Sequence, residues 1–167
     1  MLRTLQQILK TGIVTEVPPA PAEELRVREA LQSRIREVLG RALCIRAVDA
    51  GSCNGCELEI HALGNPIYSI ESLGIRFVAS PRHADLLLVT GPVSRHMEVA
   101  LRRTYDATPD PKQVVAVGDC GACGGVFGDG YASCGAVSNV IAVDVVVPGC
   151  PPSPARVLAG ILAAISP

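Results

Sequence analysis

The chain has 167 residues, of which 49% are apolar and 19% charged, and its formal net charge is −1. That is enough for one ordinary domain to bury a core without disulfide support. A balanced charge, with three Tyr, two Phe and no Trp, supplies neither the basic face nor the stacking aromatics of a nucleic-acid binder, so no nucleic acid is expected.

Apolar runs fall short of the roughly 20 residues that cross a bilayer. The opening MLRTLQQILK has no long apolar stretch ahead of a small-residue cleavage site, so a cytoplasmic, soluble chain is expected. In that reducing compartment seven cysteines indicate metal or redox chemistry rather than a disulfide set.

Leu2, Leu5, Ile8 and Leu9 stand at helical spacing, and Pro18, Pro19 and Pro21 stiffen the segment 12–22 into an extended linker. A helix follows from about Ala22 to Leu39, with Leu31, Ile35 and Val38 on one face and Gly40 as its stop. Residues 1–41 thus form an N-terminal helical arm ahead of a domain over 42–167. The arm either packs on its own core or docks on another subunit.

From Ala42 the pattern alternates. Strands are expected at Leu43–Val48, Gly74–Ala79, Asp85–Thr90, Gln113–Val117 and Asp144–Val147. Helices are expected near Glu57–Leu63, at Ser94–Tyr105 and, opened by Pro, at Ser153–Ile165, with a long Gly-rich loop after the fourth strand. Short continuous apolar strands separated by helices imply an α/β fold, a parallel sheet covered on both faces.

Cysteines cluster where such a sheet builds sites. Cys53 and Cys56 follow the first strand, Cys120 and Cys123 the fourth, and Cys150 the fifth. Loops at the carboxyl ends of parallel strands share one edge of the sheet, so three loops bring thiols to one point. This selects Cys53, Cys56 and Cys150, and prefers Cys120, which directly follows its strand, over Cys123. Four thiolates suit a [4Fe–4S] cluster or a tetrahedral zinc. A zinc ribbon spaces its Cys-x-x-Cys pairs about 15–20 residues apart on small knuckles, whereas here they are far apart on a full α/β domain, and Cys150-Pro151 is a pairing met in cluster loops. Gly51, Gly55, Gly121, Gly124 and Gly149 would let backbone N–H groups approach cluster sulfurs. A thioredoxin-type pair would leave Cys120 and Cys150 idle. No G-K-[ST] follows the Gly-rich loop and no G-x-G-x-x-G follows the first strand, so a phosphate loop is not indicated. Cys44 reads as a buried apolar residue, and Cys123 and Cys134 as structural thiols.

The ordered motifs Cys53-Asn-Gly-Cys-Glu-Leu-Glu59, Ser80-Pro-Arg-His-Ala-Asp85, Gly118-Asp-Cys120 and Pro148-Gly-Cys-Pro-Pro152 closely resemble the small subunit of membrane-bound, energy-converting [NiFe] hydrogenases of the formate hydrogenlyase type. The resemblance covers about residues 42–165. It implies a flavodoxin-like fold and one [4Fe–4S] cluster, held by Cys53, Cys56, Cys120 and Cys150, next to a nickel–iron site on a large subunit. It also implies a ferredoxin-like iron–sulfur partner, membrane subunits, and a peripheral place on the cytoplasmic face of the inner membrane. The homologous B subunit of respiratory complex I, paired with a D-like subunit, shares the closing Pro-Gly-Cys-Pro-Pro element. Its first two ligands are adjacent, whereas Cys53 and Cys56 are separated by two residues, which favours the hydrogenase branch. A Cys-rich extension that carries further clusters in uptake-type hydrogenases does not follow the last helix, so a single cluster is expected.

The chain is therefore read as an electron-transfer oxidoreductase subunit without a complete active site of its own. The alternatives are a complex I-type NADH:quinone oxidoreductase component and a zinc-stabilised structural module. Glu57, beside a ligand at a helix start, reads as a helix-dipole partner or as a proton-relay carboxylate. His61 and His83 read as ligands or proton carriers, with a structural hydrogen-bonding role preferred for His83, and Arg82 and Arg95 read as surface charges or as pairs for a partner's carboxylates.

Overall fold

The computed structural model describes residues 23–166 together with Gln6 and Lys10; the expected helix at 2–9 and the Pro-rich segment fall largely outside them. Helix α1 (Glu23–Leu39) precedes β1 (Leu43–Asp49), α2 (Gly55–Ala62), β2 (Ile75–Phe77), β3 (Leu86–Thr90), α3 (Arg95–Ala107), β4 (Gln113–Val117), α4 (Gly118–Cys123), β5 (Val145–Val147) and α5 (Pro154–Ile165). The five strands form one sheet in the order β2-β1-β3-β4-β5, and every neighbouring pair is parallel. This is the flavodoxin-like order, whose switch point lies between β1 and β3.

Strand β3 shows why the sheet is central. All five of its residues are buried, because Leu86 and Leu88 enter one apolar layer while Leu87 and Val89 enter the other. A strand covered on both faces needs a continuous apolar run rather than alternation. The first layer, under α1, α2 and α5, holds Leu31, Ile35, Ile60, Leu158 and Ile161. The second, under α3, holds Leu101, Val114, Val137 and Ile141.

Helix α1 packs on the domain's own core. Leu31 and Ile35 are buried, but Val38, expected beside them, is 50% exposed. Val27 and Leu39 pack against the core instead, because the buried line follows steps of four residues and misses position 38. Arg28 Nη1 donates to Ile67 O at 2.7 Å and Arg34 Nε to Ile165 O at 3.3 Å, tying the helix to both neighbours. The sequence also predicts only loop after β4. The chain instead turns at Gly118 (φ 85°) into the short helix α4, a compact turn that apolar periodicity cannot signal.

Candidate metal centre

Three turns at the carboxyl edge of the sheet shape the site. After β1, Asp49 Oδ1 accepts from Gly51 N and Ser52 N, both at 2.8 Å, and Ser52 Oγ accepts from Asn54 N at 3.1 Å. These bonds lock the turn that presents Cys53, and α2 begins immediately, placing Cys56 in its first turn. After β4, Cys120 stands on α4. After β5, Cys150 stands in the turn before α5. The second and third turns are stitched together: Asp119 N donates to Gly149 O at 2.9 Å, and Gly149 N donates to Asp119 Oδ1 at 2.7 Å. Cys53, Cys56, Cys120 and Cys150 line one cavity of about 40 Å³ with Asp119 and Pro151. Cys56 is buried, Cys120 is half-buried, and Cys53 and Cys150 are exposed.

Two glycines make room for sulfur. A Cβ at Gly118 would lie 2.6 Å from Cys56 Sγ, and one at Gly125 would lie 2.8 Å from Cys120 Sγ. Both have positive φ, 85° and 54°, so side chains are disfavoured on two counts. The expected glycine set differs. Of those five, only Gly55 has a thiol as its nearest neighbour, Cys53 Sγ at 3.6 Å, whereas Gly51 faces Ser94, Gly121 the β4 backbone, Gly124 two other glycines and Gly149 Pro152.

The thiols also act on one another. Burial pushes Cys56 up to about 11, helped by Glu57 and then by Cys53, Cys120 and Cys150. Cys120 is raised by burial, then by Cys150, Cys53, Asp119 and Cys123. Thiolates gathered this way repel, so the donor set is suited to a soft cationic centre that takes the place of their protons. Among the described residues no group of three or more His, Cys, Asp or Glu forms a single-ion site.

The other cysteines lie elsewhere. Cys123 is exposed and its Sγ donates to Asp119 O at 3.2 Å. Cys134 is buried and donates to Glu98 Oε2 at 3.4 Å. Cys44 is buried at the amino end of β1. Glu57 takes a hydrogen bond from Thr90 Oγ1, while its other oxygen, Oε2, is buried with no hydrogen-bond partner among the described residues. It lines a separate cavity of about 470 Å³ with Arg46, His61, Phe77 and Thr90. Arg95 pins the loop after α4 through Asp129 Oδ1 at 3.4 Å and Gly130 O at 3.3 Å. That loop exposes Val126, Phe127 and Tyr131. Sequence reasoning missed Asp119, Thr90, Gly118 and Gly125; only the Gly118-Asp-Cys120 run carried a local signal for any of them.

The profile of the family described as "NADH ubiquinone oxidoreductase, 20 Kd subunit" matches residues 53–164. The chain belongs to this family. Within it, the chain is 43% identical over 141 residues to "Probable membrane-bound hydrogenase subunit mbhJ" of Pyrococcus furiosus, covering 83% of this chain and 84% of that one. It is 42% identical over 136 residues to "Formate hydrogenlyase subunit 7" of Escherichia coli, covering 81% of this chain and 53% of that protein, so it spans about half the length of that relative. A solved structure of the membrane-bound sulfane sulfur reductase, an archaeal respiratory membrane complex, superposes with a TM-score of 0.65 at 33% identity, over 86% of this chain and 74% of that one. The family and these relatives make the chain an oxidoreductase-complex subunit of the hydrogenase and complex I kind. Among the described residues no helix is long and apolar enough to cross a membrane.

Proposed function

We propose that the chain is the electron-transfer small subunit of a multi-subunit hydrogenase, holding one [4Fe–4S] cluster on Cys53, Cys56, Cys120 and Cys150. The observation that carries this reading is the convergence of these four thiols, from three separate loops, on one cavity. Gly118 and Gly125 vacate the space that two of the sulfurs need. A bound cluster supplies a one-electron carrier. The chain's own groups do the rest: Asp119 clamps the Cys120 and Cys150 turns together, Asp49 shapes the Cys53 turn, and the buried wall around Cys56 limits water.

Its place is between a ferredoxin-like iron–sulfur subunit and a hydrogenase large subunit, at the cytoplasmic face of a membrane complex. Exposed Cys53 and Cys150 leave the rim open to a partner, and Val126, Phe127 and Tyr131, exposed on the loop that follows α4, supply apolar surface for contact. The names of the relatives, a membrane-bound hydrogenase subunit and a formate hydrogenlyase subunit, support hydrogen chemistry for the whole complex. A complex I-type quinone reductase with a D-like partner is the second reading, supported by the description of the matching family.

Iron and acid-labile sulfide analysis of the purified chain, with EPR after reduction, tests the assignment. About four of each per chain and a brown chromophore are expected. A colourless, zinc-replete protein would sink it in favour of the zinc module. Hydrogen evolution by the isolated complex, set against quinone reduction, separates the two oxidoreductase readings.

A further inference from the structure

The opposite edge of the sheet, where the strands begin, carries a motif the cluster does not use. In Ser80-Pro-Arg-His-Ala-Asp85 three residues are structural. Ser80 Oγ accepts from Arg82 N at 3.4 Å, and Pro81 opens a single helical turn over Pro81–His83. Asp85 Oδ2 accepts from Cys44 N at 3.0 Å and pins β1. The other two polar residues, Arg82 and His83, are exposed and face a cavity of about 410 Å³ shared with Arg41, Cys44 and Arg76.

One of the cations around this cavity is held in place. Asp85 holds the Arg41 guanidinium in a two-point fork, Nη1 to Oδ2 at 2.9 Å and Nη2 to Oδ1 at 2.6 Å. Arg76 is the register partner of Cys44 on β2, and its Nη2 lies 3.8 Å from Cys44 Sγ. Arg82 is carried on the capped turn. Asp85 is the one acid on the lining, and its carboxylate is committed to Arg41 and Cys44. Among the described residues Arg76 and Arg82 take part in no salt bridge. The lining therefore holds two uncompensated guanidinium groups beside a third held in place.

Planar guanidinium forks match phosphate oxygens in pairs. Two uncompensated positive charges also match the charge of a phosphate monoester near neutral pH. A single carboxylate would leave one of the two cations unpaired. We propose that this cavity binds a phosphate group, through Arg76 and Arg82 with Arg41 as the oriented wall. The site stands roughly 20 Å from the cysteines, the length of β1 at about 3.3 Å per residue. It does not depend on the cluster assignment.

The phosphate has two possible sources, free phosphate and the headgroup of an anionic lipid. The full chain is titrated with inorganic phosphate by calorimetry, and co-sedimented with phosphatidylcholine vesicles with or without phosphatidylglycerol. Saturable phosphate binding is expected, weakened about tenfold or more in Arg76→Gln and Arg82→Gln and unchanged in Arg103→Gln, a charge-matched change on the exposed side of α3. Phosphatidylglycerol-dependent sedimentation lost in the same two variants assigns the site to a lipid headgroup; phosphate binding without it assigns free phosphate. Circular dichroism of each variant confirms an intact fold. Equal losses in Arg103→Gln would reduce the effect to net charge and overturn the proposal. So would the absence of both phosphate and lipid binding, or binding of a glutamate-rich peptide in their place.

Discussion

Replacing Gly118 with Ala tests the site by geometry alone. The new Cβ would stand 2.6 Å from Cys56 Sγ, about 0.8 Å short of the 3.4 Å where ordinary contact begins. The φ of 85° adds a left-handed cost of roughly 1–2 kcal/mol for a residue with a side chain. Overpacking a filled position adds about 1–3 kcal/mol. The cheapest relief moves the sulfur, and a shift of that size exceeds the roughly 0.2 Å tolerance of a metal–ligand distance. Gly128→Ala separates the two costs: its φ is 58°, yet nothing lies within 4 Å of the added Cβ. Iron and sulfide per chain, together with the EPR signal of the reduced protein, should fall sharply in Gly118→Ala. Gly128→Ala should lose only about 1–2 kcal/mol of stability and keep its iron. Full iron content and an unaltered signal in Gly118→Ala would falsify the placement of Cys56 as a ligand.

Asp119→Ala removes the acceptor of Gly149 N and should cost about 1–3 kcal/mol, read as faster loss of iron to a chelator. Cys120→Ser should abolish the EPR signal while Cys123→Ser keeps it, since Cys120 lines the cavity and Cys123 does not; the reverse pattern would exchange the two assignments. In the metal-free chain the folded state holds the Cys56 proton up to about 11, above the ordinary 9.0. That preference for the neutral thiol is present below pH 9.0 and lost between 9.0 and about 11. Denaturant midpoints should accordingly fall across this window, and fall less in Cys56→Ala. Glu57→Gln tests the relay reading: slower hydrogen turnover with an intact EPR signal supports it, and unchanged turnover leaves Glu57 as a partner of Thr90. Leu31→Ala, at a fully buried position, should cost about 2–5 kcal/mol in urea unfolding; a loss near zero would detach α1 from the core.

The sequence by itself determined the architecture and the edge on which the site lies. Continuous apolar runs such as Leu86–Thr90 have one comfortable environment, the middle of a parallel sheet covered on both faces. Once the strands are placed, the loops holding Cys53, Cys120 and Cys150 must share an edge. Position along the chain carries that information, because strands joined through crossover helices run parallel and their carboxyl-end loops share one edge; the order of the strands in the sheet is a structural finding. Position does not carry side-chain direction within an irregular turn. Whether Cys120 or Cys123 faces the cavity depends on α4, which periodicity does not announce. The glycines that clear the sulfurs are Gly118 and Gly125 because backbone from one turn passes close to a side chain of another. Asp119 becomes a clamp only when the turns after β4 and β5 are brought side by side. The Val38 position failed for the same reason: helical spacing gives a face, but the neighbour that covers it decides where that face ends. Tertiary contact, made between residues far apart in the chain, settled these details.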